Sequence, residues 1–132
     1  MSTYAAYSPN ANASYRASAV LTASHGQQIV MLYDGARRFL HQAAVAMGDS
    51  DIRTAHNKLT RAEDIVRHLR NTLDMDRGEL PARLQSIYTF SLSHLRQARL
   101  DQDPSKILEI DDILGKLRES WAAIADQPAD EL

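Results

Sequence analysis

The most constraining feature of this sequence is a seven-residue repeat of apolar side chains near its middle. Between residues 51 and 73, apolar positions recur in alternating steps of three and four residues. They are Ile52, Ala55, Leu59, Ala62, Val66, Leu69 and Leu73. Such a repeat forms one stripe along a helix and is typical of helices that pack nearly parallel to each other. The segment is therefore predicted to be a long helix with helical neighbours.

Three further segments show helical spacing of apolar residues, at residues 25–47, 80–100 and 104–125. Ser24 and Gln27 can form a capping box at the start of the first segment, and Gly48 is expected to end it. Asp103 followed by Pro104 is a strong signal for the start of the last helix. The predicted core stripe of the 80–100 helix is Leu80, Leu84, Ile87, Tyr88, Leu95 and Ala98.

Short connections between long helices force neighbouring helices to run antiparallel. We therefore predict an all-α protein, an up-down-up-down four-helix bundle over residues 23–125. Residues 1–22 are dominated by Ser, Ala, Asn, Tyr and Thr and are predicted to be a flexible N-terminal arm. Residues 126–132 are predicted to be an acidic C-terminal tail.

Composition and motifs argue against several classes of function. The 15 basic and 17 acidic residues give a net charge of −2, which does not favour nucleic-acid binding. There is no cysteine, no glycine-rich phosphate loop and no histidine spacing typical of metal ligands. We therefore expect no catalytic residue, no cofactor and no metal. The N-terminus lacks a targeting signal, and the longest apolar run, residues 29–33, cannot span a membrane. A cytoplasmic protein without direct membrane insertion is predicted.

A histidine phosphotransfer module is the alternative from a different functional class, because such modules are also four-helix bundles. His56 and His94 lie in mid-helix and are the candidates for phosphorylation. His56 has Lys58 and Thr60 nearby but lacks the lysine and small-residue spacing expected of such a site. A third hypothesis is that the protein is a subunit of a purely structural helical oligomer.

Apolar residues outside the core stripes favour an interaction module over an enzyme. Ile65, Phe90 and Leu108 are turned away from the stripes of their helices and could line a groove for an amphipathic helix. Isolated exposed apolar residues without function are the alternative for each position. Tyr4, Tyr7 and Tyr15 lie in the N-terminal arm. They either pack on the bundle or, for Tyr7 and Tyr15, cover an empty groove.

Residues 31–40, which read MLYDGARRFL, resemble the LMLYDGAIRFL signature of the FliS flagellin export chaperones. Residues 62–66 and 73–74 resemble the AQxII…LD of that family's second helix. Residues 78–88 are similar to GGEIAxxLxxLY, and residues 117–121 to LRxAW. Tyr15 stands where the family has a tyrosine ahead of ASPxxL. The resemblance covers about residues 15–122 in register.

The resemblance implies a helical bundle that binds the C-terminal segment of flagellin in the cytoplasm and then docks on an export gate component. The tentative client-binding residues are Ile65, Leu69, Phe90 and Leu108, and the family motif centres on Leu32, Tyr33, Asp34 and Gly35. Gly35 within a helix favours close approach of another helix or of the client. The sequence leaves open whether the client-free protein forms a homodimer.

The sequence departs from the family pattern at a few positions. His25 replaces a proline, Arg77 replaces a glycine, and residues 88–91 read YTFS instead of YDYM. These positions lie at helix starts or on helix surfaces, so they affect partner contacts rather than the fold.

Overall fold

The computed structural model describes residues 24–125, which form four α-helices. They are α1 (His25–Gly48), α2 (Ile52–Asn71), α3 (Leu80–Asp101) and α4 (Pro104–Ile124). No strand occurs within these residues. α1 packs mainly on α2 and α4, and α3 packs on the same two helices, as in a four-helix bundle. The predicted fold class is confirmed, whereas the predicted arm and acidic tail lie outside the described residues.

Local signals at the helix starts behave as predicted. The backbone N–H of Gln27 donates to Ser24 Oγ at 3.2 Å, and the backbone N–H of Ser24 donates to Gln27 Oε1 at 3.1 Å. Asp103 caps α4, with Pro104 in the first turn. These contacts satisfy backbone N–H groups that have no partner within the helix.

The predicted stop of α1 at Gly48 is confirmed to within one residue. Gly48 is the last residue of α1, and the left-handed position after it is Ser50, with φ of 61°. The N–H of Asp51 then donates to the carbonyl oxygen of Ala46 at 2.8 Å, which closes the turn into α2. α2 ends earlier than predicted, because Thr72 is its C-terminal cap and its hydroxyl donates to the carbonyl of His68.

The core is built from the predicted stripes of all four helices. Its largest fully buried apolar side chains are Leu40, Leu59, Val66, Leu95, Ile107, Ile110 and Leu114, with Tyr33 and Tyr88. Two predicted stripe positions are wrong: Ile52 is 61 % exposed and Leu80 is 58 % exposed. Each is the first residue of its helix.

Two buried carboxylates each form an ion pair with an arginine of a neighbouring helix. Glu63 of α2 accepts hydrogen bonds from Arg99 of α3 at 2.8 and 3.1 Å. Asp111 of α4 accepts from Arg37 of α1 at 2.9 Å and lies 3.1 Å from His41 Nε2. A buried charge is costly unless it is paired, so these contacts specify which helices lie side by side.

Candidate binding cleft

An open cleft of about 780 Å³ lies at the end of the bundle where α1 begins and α2 ends. α1, α2, α3 and α4 all contribute to it, together with the connection between α2 and α3. Its apolar side chains include Ile29, Leu32, Leu69, Leu73, Leu84 and Trp121. The volume is within the range of ligand pockets, and mostly apolar walls are typical of such sites.

The rim of the cleft is polar. His25 and His68 lie on α1 and α2, and Asp74 and Arg77 lie in the connection that follows α2. The guanidinium of Arg77 donates to Asp74 at 3.2 Å, and the neighbouring Gly78 has φ of 86°. Glycine adopts that left-handed conformation without strain, so it allows the chain to turn from the rim into α3.

A pair of buried tyrosines lies beneath the cleft. Tyr88 lines the cleft, and its hydroxyl is hydrogen-bonded to the hydroxyl of Tyr33. Burial raises the pKa of Tyr33, against the lowering effect of hydrogen bonds with Tyr88 and Trp121. Burial also raises the pKa of Tyr88, and the neighbouring Tyr33 adds to that effect. Both phenols are therefore neutral at physiological pH and form a neutral floor.

The described residues offer few groups for other chemistry. No group of three or more His, Asp or Glu within residues 24–125 is placed to hold a metal ion. None of the four helices is long and apolar enough to cross a membrane. The mostly apolar side chains that line the cleft are suited to binding apolar side chains.

The four tentative client-binding residues do not lie together. Leu69 lines the cleft but is only 5 % exposed, and Ile65 is half-buried beside Gly35, one turn before Leu69 on α2. Phe90 and Leu108 are exposed, and neither belongs to the cleft lining. Phe90 instead stacks on His94 of its own helix, with ring centroids 5.3 Å apart.

Several cleft residues were missed as site residues because they have the spacing of core residues. Ile29, Leu73, Leu84 and Trp121 all have core-facing helical positions, whereas Leu32 was named as a site residue only as part of the family motif. Helical periodicity alone does not distinguish a core residue that lines a cleft from one that is fully enclosed.

The family-like motif of α1 has a structural role on two sides of the helix. Asp34 accepts a hydrogen bond from Arg118 of α4 at 2.9 Å. Gly35 faces α2, and a Cβ atom at this position would lie 3.4 Å from Ile65 Cδ1. Leu32 lines the cleft and Tyr33 forms the hydroxyl pair beneath it. A Cβ atom at that distance would make an ordinary van der Waals contact, so the approach of α2 does not by itself require glycine at position 35.

The two candidate phosphotransfer histidines have different surroundings. His56 is exposed, beside Asn57 and Thr60 in a shallow depression on α2. His94 is half-buried, and its Nε2 lies 2.6 Å from Glu109 Oε2 on α4. A carboxylate at this distance from Nε2 would repel an incoming phosphoryl group, so the geometry of His94 does not favour phosphotransfer.

Taken together, four long helices, neutral buried phenols and an open apolar cleft define an α-helical bundle protein of the binding type. The family model of the flagellar protein FliS matches residues 7–128. The chain therefore belongs to the FliS family of flagellar proteins.

Several curated relatives are named flagellar secretion chaperone FliS. The protein of Salmonella typhimurium is 33 % identical over 110 residues, which cover 82 % of each chain. That of Bacillus subtilis is 29 % identical over 112 residues, covering 85 % of this chain and 84 % of the relative. That of Campylobacter jejuni is 33 % identical over 97 residues, covering 73 % and 76 %. These relatives support the chaperone hypothesis over the phosphotransfer alternative.

Proposed function

We propose that this protein is a cytoplasmic export chaperone that binds the disordered C-terminal segment of flagellin and delivers it to the flagellar type III export apparatus. The observation that supports this most is the open apolar cleft lined by all four helices in a member of the FliS family. An amphipathic segment that forms a helix on binding can insert one apolar face into such a cleft.

Covering that apolar face would prevent flagellin from polymerising before export. The chaperone needs no nucleotide for this step, because burial of apolar side chains supplies the binding free energy. Part of that free energy offsets the cost of ordering the segment, typically about 2–5 kcal/mol. The client would therefore bind reversibly and could be released at an export gate component.

Two further surfaces belong to this proposal. Ile65, Phe90 and Leu108 are proposed to contact parts of the client outside the cleft, as Leu69 does inside it. Tyr7 and Tyr15 of the N-terminal arm are proposed to cover the cleft when no client is bound. A homodimer of the client-free protein stays a prediction, which analytical ultracentrifugation with and without client would test.

Calorimetric titration with a flagellin C-terminal segment tests the proposed function. Leu73 is half-buried at the cleft, whereas Leu100 is 68 % exposed near the opposite end of α3. We expect Leu73→Ala to weaken binding about tenfold, because truncation removes part of an apolar contact. The matched control Leu100→Ala should bind like wild type. No binding to the wild-type protein, or equal effects of both variants, would refute the proposal.

A further inference from the structure

Three cationic side chains surround one aromatic ring on the surface shared by α1 and α2. The guanidinium of Arg38 lies 5.5 Å from the centroid of the Phe39 ring, Lys58 Nζ lies 5.6 Å away, and the guanidinium of Arg61 lies 5.7 Å away. These are cation–π distances. Arg38, Phe39, Lys58 and Arg61 are called the Phe39 patch below.

The cations of the Phe39 patch have no carboxylate partner between residues 24 and 125. Asp64 follows Arg61 by three residues, but its carboxylate is paired with Arg67 at 3.2 Å. On the opposite side of α1, by contrast, Arg37 pairs with Asp111 and Arg118 pairs with Asp34. Three like charges around one ring repel each other, so an anion placed among them would be attracted by all three.

The Phe39 patch continues the surface that begins at the cleft. Leu32 lines the cleft, and Phe39 lies seven residues further along the same side of α1, about 10 Å away. Between them, Gly35 offers no side chain, and the half-buried Ile65 lies against it. The seam between α1 and α2 is thus a shallow path from apolar walls to a cationic, aromatic surface.

We infer that the Phe39 patch binds an acidic part of the same client segment whose apolar side chains enter the cleft. This inference rests on the proposed function. The client would carry one or more carboxylates about two helical turns from the apolar side chains that it buries in the cleft. Apolar contacts in the cleft would supply most of the affinity, and the Phe39 patch would set the direction and register of the client along α1 and α2.

The test is calorimetric titration of a flagellin C-terminal segment at about 50 and about 300 mM NaCl. Lys58→Glu/Arg61→Glu reverses two charges of the Phe39 patch. Arg53→Glu/Arg96→Glu is the control, because it changes the net charge equally at two exposed arginines that form no ion pair with any carboxylate of residues 24–125. We expect the patch variant to bind about tenfold more weakly at low salt and to lose most of its salt dependence. The control should stay within about twofold of wild type.

The same segment with its carboxylates replaced by amides completes a double-mutant cycle. It should bind wild type about tenfold more weakly, yet bind the patch variant as well as the unmodified segment does. Equal losses for patch and control variants would overturn the inference, because they would reflect net charge alone. The inference would also be wrong if replacing the carboxylates of the segment weakened its binding to wild type and to the patch variant equally.

Two other outcomes separate this inference from the proposed function and from the tail. If Leu73→Ala weakens binding while the patch variant behaves like its control, the cleft binds the client and the inference fails. If the wild type does not bind the segment at all, the proposed function fails first. If removal of residues 127–132 abolishes the salt dependence of client binding, the tail is the ligand of the patch and the inference is wrong.

Discussion

The hydroxyl groups of Tyr33 and Tyr88 hydrogen-bond to each other in the core, directly beneath the cleft. Tyr33 comes from α1 and Tyr88 from α3, so the bond joins the two helices that face each other across the bundle. Both side chains are almost completely buried. The pair therefore holds the floor of the cleft in one arrangement, and a client would meet a preformed surface.

Removing both hydroxyls of this pair should cost less stability than the sum of the losses from removing each one alone. Tyr33→Phe leaves the buried Tyr88 hydroxyl without its tyrosine partner, and we expect a loss of about 1–3 kcal/mol in the free energy of unfolding. The double variant Tyr33→Phe/Tyr88→Phe leaves neither hydroxyl in the core. Its destabilisation, measured by urea unfolding, should be smaller than the sum of the single effects. Strictly additive losses would show that the two hydroxyls do not stabilise each other.

The helix caps should make stability depend on pH in the acid range. Hydrogen bonds from Thr54 to Asp51, and from Ser105 to Asp103, lower the pKa of each carboxyl from its ordinary value of 3.8. A lowered pKa in the folded state contributes stability that is present above pH 4 and lost as the pH falls below that value. We expect the urea midpoint to fall as the pH is lowered from 5 to 2.5.

Asparagine variants supply the control for this pH effect. Asn is as good an N-cap as Asp but does not titrate. In Asp51→Asn/Asp103→Asn the fall of the urea midpoint between pH 5 and 2.5 should be shallower than in wild type. An identical pH profile would mean that the caps contribute nothing to the acid sensitivity.

Gly35→Ala should affect stability and client binding in opposite directions. Alanine favours a helix interior over glycine by about 1 kcal/mol, and the new Cβ would make an ordinary contact with Ile65. We therefore expect the free energy of unfolding to rise by roughly 0.5–1 kcal/mol. The methyl group would also fill the shallow seam between the cleft and the Phe39 patch, so client affinity should fall. A variant that is destabilised would place Ile65 closer to α1 than described.

Alanine variants of exposed and of buried side chains should separate effects on client affinity from effects on protein stability. Phe90 is 52 % exposed and Leu108 is 44 % exposed, so their replacement by alanine should change stability little. Leu59 is fully buried, and Leu59→Ala should cost roughly 2–5 kcal/mol through cavity formation. If Phe90 and Leu108 contact the client, their truncation should weaken binding on the order of ten- to a hundredfold. Unchanged affinity for both variants would remove them from the client surface.

Deletion of residues 2–14 tests the N-terminal arm. The fold should be retained, because the bundle core lies within residues 24–125. If Tyr7 covers the empty cleft, its removal should tighten client binding or leave it unchanged, since the client no longer competes with it. A large loss of affinity in calorimetry would show that the arm is part of the client-binding surface.

The fold was predictable from sequence because each helix carries its own periodic stripe and start signals. The seven-residue repeat of α2 and the Asp103–Pro104 start of α4 are local features that tertiary packing does not override. Ile52 and Leu80 were misassigned because a stripe does not reveal where the neighbouring helix ends. The end of α1 at Gly48 was predicted to within one residue, but the left-handed turn that follows it at Ser50 was not.

The cleft was not predictable in the same way. Its apolar residues have the same helical spacing as core residues, and the structure shows them lining a cleft with the connection that follows Asn71. The Phe39 patch depends on side chains from two helices meeting around one ring, which requires the register between α1 and α2. Such features arise from packing, and helical periodicity alone does not specify them.

The most direct test of the central claim is a nuclear magnetic resonance titration of the isotope-labelled protein with a flagellin C-terminal segment. We predict that the largest chemical-shift changes occur at the cleft, in Leu32, Leu69, Leu73 and Leu84, and in the indole of Trp121. Smaller changes should follow the α1–α2 seam towards Phe39. Changes confined to other surfaces, with the cleft signals unmoved at saturation, would contradict the assignment of the cleft as the client-binding site.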